Sequence, residues 1–231
     1  MAISVLIAAD FCPKDRVANL IEEGKYEAIF GEVKPIIGEC DFSIVNLECP
    51  VGISKGDGIK KNGPALKCSA KAIESLKYAG FKCVTLANNH FYDQGEAGVR
   101  DTISSLELSD IAYVGGGYNL RDASKILYKK VKDKTIAVIN CCEHEWSIAT
   151  EKSGGSNPLN PVRQYYDIVK AKGEADYVIV IVHGGIEGFQ YPSPRMVETY
   201  RFFVDAGADA VINHHQHCFL GSEVYNGKPI F

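Results

Sequence analysis

The chain has 231 residues, of which 46% are hydrophobic and 23% are charged, and its formal net charge is −4 at pH 7. This length is sufficient to bury a full hydrophobic core, and we expect one domain over residues 1–231. Charges of both signs are interspersed along the chain, which argues against a nucleic-acid-binding surface and against attachment to an acidic membrane.

Cysteine usage and the N-terminus indicate the cellular setting. The eight cysteines are scattered, and Cys141 and Cys142 are adjacent, so we expect reduced, mostly buried thiols. The apolar N-terminal stretch has no basic region before it and is too short to cross a membrane. The sequence therefore predicts a first core strand there, no signal peptide or membrane segment, and a cytoplasmic location.

Strands and helices alternate along the chain, which predicts an α/β fold. In chain order, the predicted elements are strand 3–9, helix 26–37, strand 42–47, a helix capped by Ser69 and ending at Ala79, strand 82–86, helix 96–108, strand 111–114, a hairpin of 125–131 with 135–140, helix 161–172 capped by Asn160, strand 177–182, a helix opened by Ser193 and ending at Ala206, and strand 208–212. A Gly- and Lys-rich loop covers residues 52–63, and an irregular polar segment covers residues 141–160.

Polar side chains come at or just after the ends of five of these strands. They are Asp10, Glu48, Asn89 with His90, His183, and His215 with His217. If the strands are parallel, these groups meet at one edge of the sheet, where α/β proteins bind ligands. Carboxylate, amide and imidazole groups together suit Mn, Fe or Zn. The sequence therefore predicts a site for two divalent metal ions.

Two neighbouring features favour a functional reading of these strand ends. Asp93 lies three residues after His90 and can orient its imidazole. His183 is followed by Gly184 and Gly185, which permit a close approach of the backbone to a ligand. Taken singly, each residue has a structural explanation, such as a turn aspartate or a core histidine. The recurrence at five strand ends favours the metal site.

Four segments resemble the signatures of the CapA-type capsule-synthesis (poly-γ-glutamate) proteins. They are residues 46–48, residues 86–90 with Asp93, Gly95 and Gly98, residues 183–187, and residues 207–217. The resemblance extends from about Ile3 to Phe231. That family is similar in turn to the calcineurin-like metallophosphoesterases. The resemblance therefore implies a sandwich of mixed β-sheets flanked by helices, with a dinuclear metal centre at the strand ends.

The resemblance also implies roles for individual residues. The implied metal ligands are Asp10, Glu48, Asn89, His183, His215 and His217. Glu48 would bridge the two ions, and His90 would be the general acid with Asp93 as its partner. His214, Glu187 and Asn46 would contact the substrate.

The sequence departs from the family pattern in several places. The phosphoesterases have Asp-x-His in the first motif, whereas this chain has Asp10, Phe11 and Cys12. Cys12 therefore stands at the position of the histidine, and it is either a soft ligand or leaves that ligand position vacant. Glu48 stands where phosphoesterases use Asp. Residues 227–231 look like the approach to a further strand, so a shortened family member is expected. Many family members are anchored outside the cell, whereas no anchor is predicted here.

The expected function is that of a metal-dependent hydrolase in capsule or polysaccharide biosynthesis. Its substrate would be a phosphoester or a polyglutamate-type bond, and the implied partners are an anionic polymer and other capsule synthesis proteins. Because a fold hosts many chemistries, the bond that is cleaved stays open.

Two other classes stay open at this point. The first is a non-catalytic component of a synthesis or export assembly that binds an anionic polymer. The lysines of its candidate binding loop are Lys55, Lys60, Lys61 and Lys67. The second is a cysteine hydrolase that would use Cys12, Cys141 or Cys142 with His144, although none of these has a recognisable activating context.

Overall fold

The computed structural model describes residues 2–52 and 58–231, so Lys55 lies outside the described residues. The strands are β1 (Val5–Phe11), β2 (Phe42–Leu47), β3 (Cys83–Thr85), β4 (Ala112–Val114), β5 (Gly116–Gly117), β6 (Leu127–Val131), β7 (Lys134–Cys142), β8 (Gly155–Ser156), β9 (Tyr177–His183), β10 (Ala210–His214), β11 (Glu223–Tyr225) and β12 (Lys228–Ile230). The helices are α1 (Asp15–Glu22), α2 (Tyr26–Phe30), α3 (Val33–Glu39), α4 (Lys71–Ala79), α5 (Gly95–Leu108), α6 (Leu120–Ala123), α7 (Pro161–Glu174) and α8 (Pro194–Ala206).

Two main sheets carry the fold. The first sheet has the order β1-β2-β3-β4, and all its strands are parallel. The second has the order β11-β12-β10-β9-β7-β6. Its central strands β7, β9, β10 and β12 run parallel, whereas β6 and β11 pair antiparallel at the two edges. This mixture follows from the sequence, since hairpins supply the two edge strands, and α7 and α8 lie in the crossovers that join the parallel strands β7, β9 and β10.

The two sheets pack face to face, and helices cover their outer faces. Phe42 and Ile44 of the first sheet share a buried cluster with Val138 and Ile181 of the second. A second cluster joins the outer face of the first sheet to α1–α5, and a third joins the second sheet to α7 and α8. The result is a helix–sheet–sheet–helix sandwich, which confirms the predicted α/β sandwich. With both faces covered, all six residues of β2 are buried, as expected of parallel strands.

The structure corrects the sequence prediction at two helices. The predicted helix 26–37 is interrupted, because Gly31 adopts φ 38° and ends α2 before α3 begins. Ser69 does not cap α4. Its hydroxyl bonds the Glu22 carboxylate, and Ala70 occupies the N-cap position. The sequence analysis also missed α1.

Other local predictions are confirmed. The side chain of Asn160 accepts a hydrogen bond from the Arg163 amide, and that of Ser193 accepts one from Met196, at the starts of α7 and α8. β6 and β7 form the predicted hairpin. All eight cysteines are free. Among the described residues, none of the helices combines the length and apolar composition needed to cross a bilayer.

Strand register brings the C-terminal ends of both sheets to one edge. In the first sheet, Asp10 of β1 is opposite Asn46 of β2. In the second, His183 of β9 is opposite both His214 of β10 and Cys142 of β7. Parallel pairing therefore places the polar strand ends side by side, as predicted.

Asp209 connects elements of the second sheet at the N-terminal ends of β9 and β10, opposite the polar strand ends. Its carboxylate accepts hydrogen bonds from Lys172 of α7 at 2.7 Å, from Lys228 of β12 at 2.8 Å and from the Val178 amide at 3.0 Å. Burial disfavours the charge, but these three donors outweigh it and hold the pKa of Asp209 below its usual value. The ionised carboxylate thus ties a helix and three strands together.

We predict that Asp209→Asn lowers the free energy of unfolding by about 1 kcal/mol at pH 7, since the lysines are partly exposed. Because the pKa is depressed in the folded state, the stabilisation is complete above the unfolded value of about 3.9 and disappears as the pH falls through the folded value. Thermal unfolding of parent and variant across this range tests the prediction. The exposed Asp133→Asn is the control, and a difference that persists in acid would contradict it.

Candidate metal centre

The structure brings seven imidazole, carboxylate and amide side chains from both sheets into one cluster. Asp10 comes from β1, and Glu48 and Asn89 follow β2 and β3. From the second sheet, His183 ends β9 and His214 ends β10, while His215 and His217 lie in the loop after β10. Each residue lies at or just after a strand end, so the packing of the two sheets determines how closely these side chains approach one another.

Asp10 and two histidines form the first group of ligand atoms. Asp10 Oδ1 lies 2.8 Å from His214 Nδ1 and 3.6 Å from His183 Nδ1. The two Nδ1 atoms are 2.9 Å apart. This geometry places His214 among the potential ligands, whereas the resemblance had implied only substrate contact for it.

Glu48 forms two further groups with the same residues. Glu48 Oε1 lies 3.7 Å from His183 Nε2, and Asn89 Oδ1 lies 3.0 Å from that nitrogen. One group consists of Glu48, His183 and His215, and the other of Asp10, Glu48 and His217. In each group the ligand atoms lie within 4.8 Å of one another. Because Asp10, Glu48 and His183 each belong to two groups, the arrangement offers adjacent, overlapping cation positions.

The electrostatics of the cluster favour a cation. Burial and the neighbouring charge of Asp10 raise the pKa of Glu48 to about 8. Burial opposes the ionisation of Asp10, but hydrogen bonds from His183 and His214 hold its pKa well below the usual value. Burial lowers the pKa of His183 to about 3, so this imidazole is neutral and can ligate. Two adjacent buried carboxylates beside neutral imidazoles are the arrangement that a divalent ion relieves.

Unpaired nitrogen atoms give a second test of the fit. Nε2 of His214 and Nδ1 of His215 are buried and have no hydrogen-bond partner among the described residues. Buried polar atoms in proteins are nearly always paired, so such atoms indicate an interaction with a bound group. Mixed carboxylate, amide and imidazole donors suit a divalent transition ion. The residues therefore fit the implied metal centre.

The histidine loop has an unusual backbone. His215 and His217 adopt φ values of 113° and 54°, which residues with a side chain rarely occupy. Neighbouring bonds hold the loop: Asn213 donates to the carbonyls of Val182 and Gly184 at 3.1 Å. Such backbone strain is concentrated at functional sites, where surrounding structure enforces it.

Glycine is needed at positions 184 and 185 for a different reason from the close approach of a ligand that the sequence suggested. A Cβ atom at Gly184 would lie 2.5 Å from the Glu143 side chain, and one at Gly185 would lie 2.2 Å from that of Gln216. The two glycines therefore make room for neighbouring protein side chains that support the loop.

His90 contacts Asp93 as the sequence predicted, with 2.7 Å between His90 Nδ1 and Asp93 Oδ2. A third member of this arrangement was not predicted from the sequence. Lys61 forms an ion pair with Asp93 Oδ1, and its side chain is only 2% exposed. Sequence spacing gives no signal for this contact, since Lys61 is 32 positions away in a Lys-rich loop that looks solvated.

The other residues predicted to contact substrate lie in different settings. Asn46 is fully buried, and its amide donates to Asp10 Oδ1 at 2.8 Å. Its position behind Asp10 supports orientation of the ligand instead of contact with a substrate. Glu187 is exposed in the loop after β9, and its charge acts on Glu48 and His215.

Three residues near the centre were not anticipated. Glu143 accepts a hydrogen bond from the Gly185 amide at 3.0 Å, and Glu145 Oε1 lies 3.8 Å from His215 Nε2. Both follow β7, so the strand-end rule applied to that strand would have found them. Asn88 is fully buried and bonds Asn46 and the Leu47 carbonyl, thereby linking two strand ends.

The cysteines do not provide an activated nucleophile. Contact with Cys49 and burial raise the pKa of Cys12 far above its usual value. Burial likewise raises the pKa of Cys141, and it raises that of Cys142 to about 12, while His144 is exposed. Reactive thiols require the opposite shift. Among the described residues, Cys12 also belongs to none of the groups that could hold a metal.

Solved structures show the class of fold. A structure described as a novel phosphatase from Mycoplasma pneumoniae is 18% identical, with a TM-score of 0.55, and the match covers 99% of this chain and 70% of that one. A putative 5′-nucleotidase from Staphylococcus aureus is also 18% identical with a TM-score of 0.55, covering 99% of this chain and 48% of that one. The chain has the calcineurin-like metallophosphoesterase fold.

Sequence relatives show the family. The family model described as bacterial capsule synthesis protein, PGA_cap, matches residues 4–231, and the chain belongs to this family. The capsule biosynthesis protein CapA of Bacillus anthracis is 32% identical, over 99% of this chain and 58% of that relative. The PGA biosynthesis protein CapA of Bacillus subtilis is 32% identical, over 99% of this chain and 61% of that relative. The chain thus spans about three-fifths of the curated relatives it matches.

We predict that the protein as purified, or after reconstitution, contains about two equivalents of Mn, Fe or Zn. His215→Ala removes an imidazole from one of the groups that could hold an ion, so metal content should fall toward one equivalent or less. Mass spectrometry of the untagged protein measures this. His144→Ala, which changes an exposed histidine outside the cluster, is the matched control. Equal metal content in parent and His215→Ala would contradict the assignment.

Proposed function

We propose that the chain is a metal-dependent hydrolase that cleaves a phosphoester during the synthesis of a capsule or polyglutamate polymer. The observation that carries the proposal is the set of overlapping groups of potential ligand atoms around Asp10, Glu48 and His183. A single structural ion needs one closed group, whereas adjacent groups that share carboxylates are typical of two-metal hydrolytic sites.

Asp10, Glu48, Asn89, His183, His215 and His217 would hold the two ions, and His214, which lies beside Asp10, is a further potential ligand. Two bound divalent ions lower the pKa of a water molecule and neutralise charge on the substrate oxygens. The protein supplies the low-dielectric surroundings, because most of these side chains are buried. Asn46 holds Asp10 through its amide hydrogen bond.

His90 would act as the general acid. Its Nδ1 contacts Asp93, so Nε2 is the nitrogen that can give a proton to the leaving oxygen. His90 directly follows the proposed ligand Asn89, and this adjacency supports its role at the metal centre. A positioned acid contributes on the order of 10²–10⁴ in rate.

The fold supports a phosphoester as the bond that is cleaved. The solved structures with this fold include one described as a phosphatase and one described as a putative 5′-nucleotidase. The names of the relatives, capsule biosynthesis protein and PGA biosynthesis protein, support the setting in polymer synthesis. A γ-glutamyl amide is the competing substrate, and the assays below include it.

A non-catalytic, polymer-binding role receives less support. Of the candidate lysines within the described residues, Lys60 and Lys67 are exposed, but Lys61 is buried against Asp93. The centre is flanked by Glu145 and Glu187, which would repel a polyanion. Binding of polyglutamate by the metal-free protein would support this second role.

We predict that His90→Ala keeps the metal content of the parent and lowers kcat on an alkyl phosphodiester by about 10²–10⁴. The reason is that the ligands remain while the proton donor is removed. Steady-state kinetics and metal analysis of the same preparations measure both quantities. His144→Ala is the control. Equal loss of metal and turnover would refute the acid role, and parent turnover of γ-glutamyl peptides alone would refute the phosphoester assignment.

A further inference from the structure

Asp93 is a fully buried carboxylate that three donors share. Lys61 Nζ contacts Oδ1, while the Leu66 amide at 2.6 Å and His90 Nδ1 at 2.7 Å contact Oδ2. The side chains of Lys61 and Asp93 are 2% and 0% exposed, respectively. A buried charge is tolerated only when it is paired and hydrogen-bonded, so these contacts pair the carboxylate and fix its orientation.

Further hydrogen bonds connect the chain around Lys61 to the turn that carries His90. The Ile59 amide donates to the Asp93 carbonyl at 2.8 Å, and Gln94 Nε2 donates to the Leu66 carbonyl at 2.9 Å. Lys61 is therefore enclosed between these bonds. Its ammonium is used inside the protein and is not free to bind a substrate.

The arrangement determines which nitrogen of His90 carries the hydrogen. A contact of 2.7 Å between an imidazole nitrogen and an ionised carboxylate oxygen requires a hydrogen on Nδ1. The Lys61 ammonium lies 3.1 Å from the same nitrogen and forms an ion pair with Asp93 Oδ1. Since the ammonium has only donors, it cannot accept the Nδ1 hydrogen, and Asp93 Oδ2 is the acceptor at that nitrogen. Nδ1 is thus committed to Asp93, and Nε2 is left for the reaction.

We propose that Lys61 is a positioning residue for His90, acting through Asp93. Its ammonium holds the carboxylate in the orientation that accepts the Nδ1 hydrogen, and this fixes the ring. When His90 gives its Nε2 proton to the departing oxygen as the ester bond breaks, the Nδ1 hydrogen stays on the ring. Lys61 still pairs with Asp93 when His90 is in the neutral state that results. The proposal rests on the proposed role of His90 as the general acid.

Side-chain nitrogen NMR tests the positioning without any assay of activity. In ¹⁵N-labelled parent protein, assigned with His90→Gln, we expect the His90 signals of the form protonated at Nδ1. In Lys61→Met, the form protonated at Nε2 should appear. Lys60→Met, which changes the neighbouring exposed lysine, should match the parent. A Lys61→Met spectrum identical to that of the parent would overturn the proposal.

Leaving-group dependence distinguishes positioning from substrate binding. Lys61→Met should lower kcat about 10–100-fold on an alkyl phosphodiester, as loss of an orienting partner does. It should have little effect on a nitrophenyl phosphodiester, whose leaving group departs without a proton, and little effect on KM. An increase in KM shared with Lys60→Met would overturn the proposal in favour of substrate binding. Absence of turnover in the parent would refute the proposed function, and the NMR result would still decide the role of Lys61.

A double variant covers the case in which Lys61→Met does not fold, because that change leaves Asp93 as an unpaired buried charge. Lys61→Met/Asp93→Asn removes both charges together. If Lys61 acts only through Asp93, the double variant should lose no more kcat than Asp93→Asn alone. A further loss of kcat in the double variant would show that Lys61 acts independently of Asp93, and this would overturn the proposal.

Discussion

Burial of Asp10 and Glu48 at neighbouring strand ends is the constraint on which the site depends. Two carboxylates in a desolvated setting repel each other, and burial together with the charge of Asp10 raises the pKa of Glu48 to about 8. Burial lowers the pKa values of His183 and His215, which disfavours the protonated forms that would supply the missing positive charge. Divalent cations would neutralise the negative charge of the two carboxylates. The arrangement of these side chains is therefore unfavourable without metal and favourable with it.

The surrounding structure holds these groups through buried polar contacts. Asn46 and Asn88 connect the ends of the first sheet, and Asn213 with Gln216 fixes the histidine loop after the second. Lys61 plays the corresponding part for His90. Because the contacts of Asn46, Asn88 and Lys61, and those of Asn213 with β9 and the residues after it, join segments far apart in sequence, the geometry depends on the packing of both sheets.

The sequence allowed prediction of the strand ends because parallel strands bury both faces and expose polar groups only where they stop. Asp10, Glu48 and His183 were found in this way, and the structure places them together. The break at Gly31 and the bond between Ser69 and Glu22 were not predictable, since they depend on tertiary packing. The same holds for the Lys61–Asp93 pair, because no local pattern distinguishes a buried lysine from a solvated one.

The most direct measurement of the central claim is anomalous diffraction from crystals grown with Mn²⁺. Two peaks about 3.5–4 Å apart, flanking Glu48 and contacting Asp10 and His183, are expected for a dinuclear hydrolytic centre. A single peak, or peaks elsewhere on the surface with none between these residues, would contradict the account.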